Sequence, residues 1–124
     1  MAETERANEK REAKEPGGAI DLDHLDRQTL GDASLRDEVL AMFAAQMAQL
    51  RGELGACAGE ARARLAHRVK GTAAGVGAWA LAESAGRLHD APDRDDFASD
   101  LADRADEAVR VVAKMRKDGA FWRS

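Results

Sequence analysis

The sequence predicts an all-α fold: an antiparallel up-and-down four-helix bundle with a short helical extension at its N-terminus. Alanine is abundant, tyrosine is absent and aromatic residues make up only 4% of the chain, a composition that favours helices over strands. Apolar residues recur at helical spacing along four long segments, none of which alternates as a strand would. Because each segment has one apolar face and the connections are short, neighbouring helices are expected to be antiparallel.

The predicted elements begin just before residue 20. Ile20, Leu22 and Leu25 predict one or two helical turns that pack against the main body of the fold. Asp32 or Ser34 is the candidate N-cap of the first long helix. The four long helices are expected at about 33–54, 56–76, 78–90 and 93–118.

Each long helix has a stripe of apolar residues that is expected to face the core. In chain order, the stripes are Leu35, Val39, Met42, Phe43, Gln46, Leu50 and Leu54; Leu65, Val69 and Val76 with Thr72; Leu81, Ala85 and Leu88; and Phe97, Leu101, Ala105, Ala108, Val112 and Met115. Pro92 separates the last two helices, since proline disfavours helix in the residue before it. Gly119 is a natural helix stop, and Phe121 and Trp122 are expected to fold back over one end of the bundle.

The chain as a whole has room for one hydrophobic core. Residues 1–18 are polar, which predicts a disordered tail ahead of a folded domain at 19–124, with a docking arm as the alternative. The net charge of -4 argues against nucleic-acid binding, and no apolar run is long enough to span a bilayer. Cys57 is the only cysteine, and no signal peptide is evident, so we expect a cytoplasmic protein. One bundle can close its own core, which predicts a monomer.

The most informative segment lies in the second long helix and reads His67-Arg68-Val69-Lys70-Gly71, followed by small residues. Residues at i, i+3 and i+4 share one helix face, so the Lys70 ammonium would lie beside the His67 imidazole. The missing side chain of Gly71 would leave the space next to the ring open. A nucleophilic nitrogen, a fixed positive charge and open access suit a group that receives a phosphoryl group and passes it on.

His67 is predicted to project from the outer side of its helix. Leu65, Val69 and Val76 lie roughly opposite it at 100° per residue, so the core should be on the other side. The alternative interpretation is an ordinary surface histidine with a lysine neighbour, which is common. Glycines follow at 71, 75 and 77, and each costs a helix about 1 kcal/mol relative to alanine. Close helix packing or the approach of another protein would account for them.

This segment resembles the phosphorylation motif of histidine-containing phosphotransfer (HPt) domains, which act in multistep two-component phosphorelays. The family pattern is His-x-x-Lys-Gly, small residues, an aliphatic residue, a glycine and a later leucine. The matching residues are His67, Lys70, Gly71, the small run 72–75, Val76, Gly77 and Leu81. Upstream, a segment of this chain resembles the family's first long helix. The residues that carry this resemblance are Gly31, Asp32, Leu35, Val39, Leu40, Phe43 and Leu50. The resemblance covers roughly residues 20–118 and implies a four-helix bundle core with His67 as the phosphoacceptor.

Under this hypothesis the residues around His67 have definite roles. Lys70 would place a cation near the phosphoryl oxygens. Gly71 and Ala74 would form a flat floor for the partner, and Arg64 and Arg68 would steer an acidic partner surface. The partner would be the receiver domain of a response regulator or hybrid histidine kinase, which would supply the aspartate and Mg²⁺. The chain shows no ATP site, cofactor site or hard-metal cluster, so a carrier is expected rather than an enzyme.

His89 departs from the family pattern, in which a glutamine often lies near the end of the following helix, close to the active histidine. Its stripe neighbours Ala82 and Gly86 are small, so the His89 ring could reach across toward His67. The alternative is an exposed histidine near a helix end. His24 has no comparable context and is expected on the surface.

Three other interpretations compete with phosphotransfer. The phosphoacceptor helix of a sensor kinase usually has an acidic residue after the histidine and a proline five residues after it, where this chain has Arg68 and Thr72. A helical adaptor or anti-regulator would keep the bundle and would not need His67. A metal site of His67, His89 and Cys57 would match no standard ligand spacing.

Overall fold

The computed structural model of the protein describes residues 20–118, which form five α-helices and no strand. The helices are α1 (Leu22–Gln28), α2 (Ala33–Gly55), α3 (Gly59–Val76), α4 (Trp79–Asp90) and α5 (Asp95–Lys117). The prediction of an all-helical fold is confirmed for this part of the chain. The predictions for residues 1–18, Gly119, Phe121 and Trp122 fall outside the described residues.

The four long helices pack in a closed circuit, in which each one contacts mainly two others. The largest contacts join α3 to α4 and α2 to α5, smaller ones join α4 to α5 and α2 to α3, and α1 packs on α3. Arg116 near the end of α5 binds Asp37 near the start of α2. Arg51 near the end of α2 binds Asp103 and Asp106, so α2 and α5 are antiparallel. None of the described helices is long and apolar enough to cross a membrane.

The core-facing stripe of α2 differs from the predicted one. Its buried apolar residues are Leu40, Phe43, Met47, Leu50 and Leu54. By contrast, Leu35 and Met42 are 38% and 65% exposed, and Gln46 is exposed as well. The sequence of α2 contains two adjacent apolar stripes. The stripe that faces the other long helices is buried. The stripe through Leu35, Val39 and Met42 lies at the edge of the packed helices. Asp32 caps the helix by accepting a hydrogen bond from the Leu35 N–H at 3.0 Å.

The other three predicted stripes face the core, with small shifts at the helix ends. Their buried members are Leu65, Val69 and Val76 in α3, Leu81, Ala85 and Leu88 in α4, and Leu101, Ala105, Ala108, Val112 and Met115 in α5. Thr72 and Phe97 are half-buried. Helix α3 begins at Gly59 rather than near residue 56, because Ala56 caps the end of α2. Helix α5 begins slightly later than predicted, because the turn that follows Pro92 precedes it.

Helix α1 is fixed to the turn between α3 and α4 through Asp21. The Asp21 backbone N–H donates to the carbonyl of Gly77 at 2.8 Å. The Asp21 carboxylate accepts hydrogen bonds from the Trp79 indole N–H at 2.9 Å and from the His24 backbone N–H at 3.1 Å. Partial burial opposes ionisation of this carboxyl, but the hydrogen bonds outweigh burial and hold the pKa of Asp21 below its usual range. Gly77 has a φ of +80°, and a Cβ there would lie 2.9 Å from the Asp21 carbonyl oxygen, so glycine is required.

The predicted surface position of His24 is wrong. His24 is half-buried, and its ring packs edge-on against Trp79 with the ring centroids 4.8 Å apart. This position follows from the packing of α1 on the α3–α4 turn, because the first turn of α1 then faces the indole. His24 therefore helps to anchor α1, and it lies at the opposite end of α4 from His89.

Arg62 of α3 connects three backbone carbonyls at one end of the fold. Its guanidinium donates to the oxygens of Cys57 at 3.2 Å, Pro92 at 3.2 Å and Leu54 at 3.4 Å. Replacing Arg62 with alanine is expected to lower the free energy of unfolding by about 2–3 kcal/mol, because these carbonyls lose a charged donor. Urea denaturation followed by circular dichroism measures this change.

The matched control for this substitution is Arg110→Ala on α5. Arg110 is exposed, and its ion pair with Glu107 at 2.7 Å lies on the surface. The control is expected to change stability by less than about 0.5 kcal/mol. Equal losses from the two substitutions would mean that Arg62 acts only as a surface charge.

Candidate functional site

His67 lies on the exposed face of α3, across from the last turn of α4. Its ring centroid is 5.3 Å from that of His89, and the two ring planes are tilted by 44°. The contact arises because α3 and α4 form an antiparallel hairpin through Ala78, so the middle of α3 meets the end of α4. Both imidazoles are exposed, and both are accessible to a reacting group from outside the domain.

The surface beyond His67 is open because a glycine occupies the next helical turn. A Cβ built on Gly71 would meet no atom within 4 Å, and the same is true of Gly75. Ala74 lies beside them and is half-buried. We call these three residues, Gly71, Ala74 and Gly75, the glycine strip. Two of the three glycines in the motif therefore keep a surface clear, whereas Gly77 is required by the conformation of its backbone.

Lys70 follows His67 by one helical turn, and its side chain extends across to α4. A Cβ placed on Gly86 would lie 3.9 Å from each of the Lys70 Cδ, Cε and Nζ atoms. The Lys70 stem therefore lies over Gly86, whereas the sequence suggested that the His89 ring uses the space beside Gly86. No carboxylate of residues 20–118 forms an ion pair with Lys70. Its ammonium charge is available to an anion on the face of α3 that carries His67.

A shallow depression surrounds the two histidines. Its lining residues are Glu60, Ala63, Arg64, His67, Arg68 and His89. Arg64 has a loose ion pair with Glu60, at 3.7 Å, and Arg68 has none with any of residues 20–118. Two arginines against one glutamate give the depression a positive charge, which favours an anionic group.

The family model of the Hpt domain matches residues 34–115, from the start of α2 to the last turns of α5. The chain belongs to the Hpt domain family. Hpt domains are histidine phosphotransfer carriers of two-component phosphorelays, and the predicted membership of this family is confirmed. No significant match was found among curated proteins, and none was found among solved structures.

An apolar groove between α1, α2 and α3 borders the glycine strip of this Hpt domain. It is formed by Leu25 of α1, Leu35, Val39 and Met42 of α2, and Gly71 and Gly75 of α3, among other residues. Leu30, in the link between α1 and α2, is 89% exposed and has a positive φ of 55°. Sequence reasoning missed the groove because it assigned Leu35, Val39 and Met42 to the core. The available signal was the second apolar stripe of α2, which one buried face could not accommodate.

Only two of the three residues of the hypothetical metal site, His67 and His89, are brought together. Among residues 20–118, no group of three histidine, cysteine or acidic side chains could hold a metal ion. Cys57 lies in the link between α2 and α3 and is not among the residues that line the depression with His67 and His89. The ligand-type side chains that line the depression are the two histidines and Glu60, and Asp90 lies beside His89.

Proposed function

We propose that His67 is the phosphoacceptor of this Hpt domain, and that it relays a phosphoryl group between the receiver-domain aspartates of response regulators or hybrid histidine kinases. One combination of features supports this proposal most directly. His67 is an exposed imidazole, the Lys70 ammonium lacks an ion pair within residues 20–118, and the strip at Gly71 is open. A buried histidine, or one bounded by large side chains, would be out of reach of an aspartyl phosphate on another protein.

The proposed transfer is an in-line displacement at phosphorus. One nitrogen of neutral His67, which the family resemblance implies is Nε2, forms a bond to phosphorus. The bond between phosphorus and the aspartyl oxygen breaks, and its electron pair returns to the carboxylate. The proton on Nδ1 stays with the ring. The receiver would supply the aspartate and Mg²⁺, and the return transfer passes through the same transition state.

Lys70 is proposed to stabilise the negative charge that spreads over the phosphoryl oxygens in the transition state. Lys70→Gln removes this charge and keeps an exposed polar side chain. It is expected to slow transfer from a phosphorylated receiver by about tenfold to a hundredfold. Rapid-quench assays with labelled receiver measure the rate.

The matched control is Lys114→Gln, which alters an exposed lysine of α5. It is expected to accept label at the wild-type rate. An unchanged rate for Lys70→Gln would remove this lysine from the mechanism.

The receiver is proposed to dock on the glycine strip and the apolar groove. Leu35 and Met42 give the groove an exposed apolar wall, which an apolar surface of the receiver would cover. On the other side of His67, Arg64 and Arg68 would steer an acidic receiver surface toward the site. These elements flank His67 on both sides, so a single docked receiver would cover the reacting nitrogen.

We further propose the setting in which this carrier works. The four long helices would form an antiparallel up-and-down bundle within one domain, residues 19–124, and the closed circuit of helix contacts supports this arrangement. The domain would act as a cytoplasmic monomer, with no bound cofactor and no nucleic-acid or membrane partner. It would turn over only together with a receiver, and is therefore a carrier rather than an enzyme. Sedimentation equilibrium tests the monomer.

The test of the proposed function is transfer of labelled phosphate to the full chain from a panel of phosphorylated receivers and hybrid kinases of the same genome. We expect an acid-labile, alkali-stable label, as a phosphohistidine gives. Mass spectrometry of peptides kept at alkaline pH is expected to find the phosphate on His67. If no receiver transfers label to the folded chain, the relay proposal fails, and a helical adaptor or anti-regulator becomes the better explanation.

A further inference from the structure

A second imidazole lies against the proposed phosphoacceptor, since the ring centroids of His67 and His89 are 5.3 Å apart. We propose that phosphorylation of His67 is coupled to the uptake of one proton by His89, whose imidazolium ion then holds the phosphoryl group. This inference rests on the proposed function and adds regulation by pH to the same site.

The carboxylate of Asp90 lies beside one ring nitrogen of His89. The His89 Nδ1 atom lies 3.4 Å from a carboxylate oxygen of Asp90. A neutral imidazole has one N–H donor and one acceptor nitrogen. An Nδ1–H that points at Asp90 therefore leaves Nε2 without a proton. A phosphoryl oxygen is also an acceptor, and it gains a hydrogen bond only when Nε2 is protonated as well. An anionic acceptor at each nitrogen thus favours the imidazolium ion.

The charged groups around His89 come from two helices. They are Glu60, Arg64, Arg68 and Lys70 on α3 and Asp90 on α4, and no described residue of α5 lines the depression. The phosphoryl group on His67 carries two negative charges, and the ring that bears it keeps its Nδ1 proton. Phosphorylation therefore adds one net negative charge next to His89, which favours its imidazolium ion.

The coupling has a defined sign. Because phosphorylated His67 attracts the proton on His89, His89 is half protonated at a higher pH in the phosphorylated chain than in the unphosphorylated one. Proton uptake by His89 therefore stabilises the phosphorylated form of the chain. This stabilisation is complete below the pH at which His89 is half protonated in the unphosphorylated chain, and it is lost as the pH rises through the corresponding value of the phosphorylated chain. The proton on His89 comes from solvent and takes no part in the displacement at phosphorus.

Nuclear magnetic resonance titration of the three histidines in the full chain tests the coupling. Phosphoramidate serves as the donor: the bond from His67 to phosphorus forms as the N–P bond of the reagent breaks and ammonia leaves. We expect His89 to be half protonated at a pH about half a unit to one unit higher after phosphorylation. His24 packs on Trp79 at the other end of α4, and is expected to titrate identically in both states. An unchanged His89 curve would overturn the proposal.

The equilibrium of transfer from a single receiver gives a second readout, measured against pH for the wild type and His89→Gln. Glutamine keeps a hydrogen-bond donor but cannot take up a proton at these pH values. The ratio of the wild-type equilibrium constant to that of His89→Gln is expected to fall about threefold to tenfold. The fall is expected as the pH rises through the range in which His89 loses its proton. The receiver's own titration cancels in this ratio, so a flat ratio would also overturn the proposal.

Failure of the coupling and failure of the relay give different results. If phosphoramidate labels His67 but no receiver does, the relay function fails, while the His89 titration still reports on the coupling. If receivers label His67 and the His89 titration does not move, the relay stands and the coupling is wrong.

Discussion

Replacement of His67 by glutamine is expected to abolish phosphorylation of the Hpt domain by any receiver. Glutamine is polar and similar in size but has no nucleophilic ring nitrogen, so no bond to phosphorus forms. Because His67 is exposed, the helical content and the thermal unfolding midpoint are expected to stay close to those of the wild type. Transfer assays with labelled receiver measure the first effect, and circular dichroism measures the second.

The matched control is His24→Gln, the same change in α1. It removes a ring contact with Trp79, so we expect a modest loss of stability with labelling retained. Wild-type labelling of His67→Gln would refute the proposed phosphoacceptor. It would also point to His89, the other exposed histidine, as the residue that is phosphorylated.

A leucine in place of Gly71 is expected to slow transfer from a receiver by about a hundredfold or more, equivalent to about 2.7 kcal/mol. The leucine side chain would stand on the glycine strip one turn from His67, and a small displacement of the reacting groups has an effect of this size. The domain itself has open space around a Cβ at this position. Stability is therefore expected to rise by up to about 1 kcal/mol, as for other exposed helical glycines. Rapid-quench transfer and urea denaturation measure the two changes.

Gly52→Leu is the matched control for this substitution. Gly52 is also an exposed helical glycine with open space around a Cβ, but it lines neither the apolar groove nor the depression. It is expected to gain similar stability and to accept label at the wild-type rate. Phosphoramidate is small, and is expected to label Gly71→Leu almost normally, which separates blocked docking from a damaged nucleophile. Wild-type transfer from a receiver to Gly71→Leu would contradict docking on the glycine strip.

The outward direction of His67 could be predicted from the sequence because it depends only on the periodicity of its own helix. Leu65, Val69 and Val76 define a single apolar stripe in α3, and no other arrangement buries all three. The same reasoning succeeded for α4 and α5, whose stripes are also single. In α2 it failed, because two adjacent stripes are apolar and only the packing of other helices decides which one is buried. Leu35 and Met42 therefore became a surface beside the site instead of part of the core.

Contacts between residues far apart in sequence could not be predicted in this way. The hydrogen bonds of Arg62 join a carbonyl of α2 to carbonyls of two different interhelix links. His24 is half-buried because α1 folds against Trp79. Lys70 extends over Gly86 for a similar reason, since the contact depends on the register between α3 and α4. The contact between His67 and His89 depends on that same register, so the sequence left it open.

The residues that meet across the hairpin of α3 and α4 are equally distant from Ala78 along the chain. His67 and His89 are equally far from Ala78 along the chain, and so are Lys70 and Gly86. In two antiparallel helices joined by a tight turn, residues that are equally distant from the turn lie at about the same height along the helix axes, and those on the facing sides meet. Adding or deleting a residue in the turn would place a neighbour of His89 opposite His67. Surface loops usually tolerate such changes in length. Here, however, the length of the turn sets the register between α3 and α4, and therefore which side chain lies next to the reactive histidine.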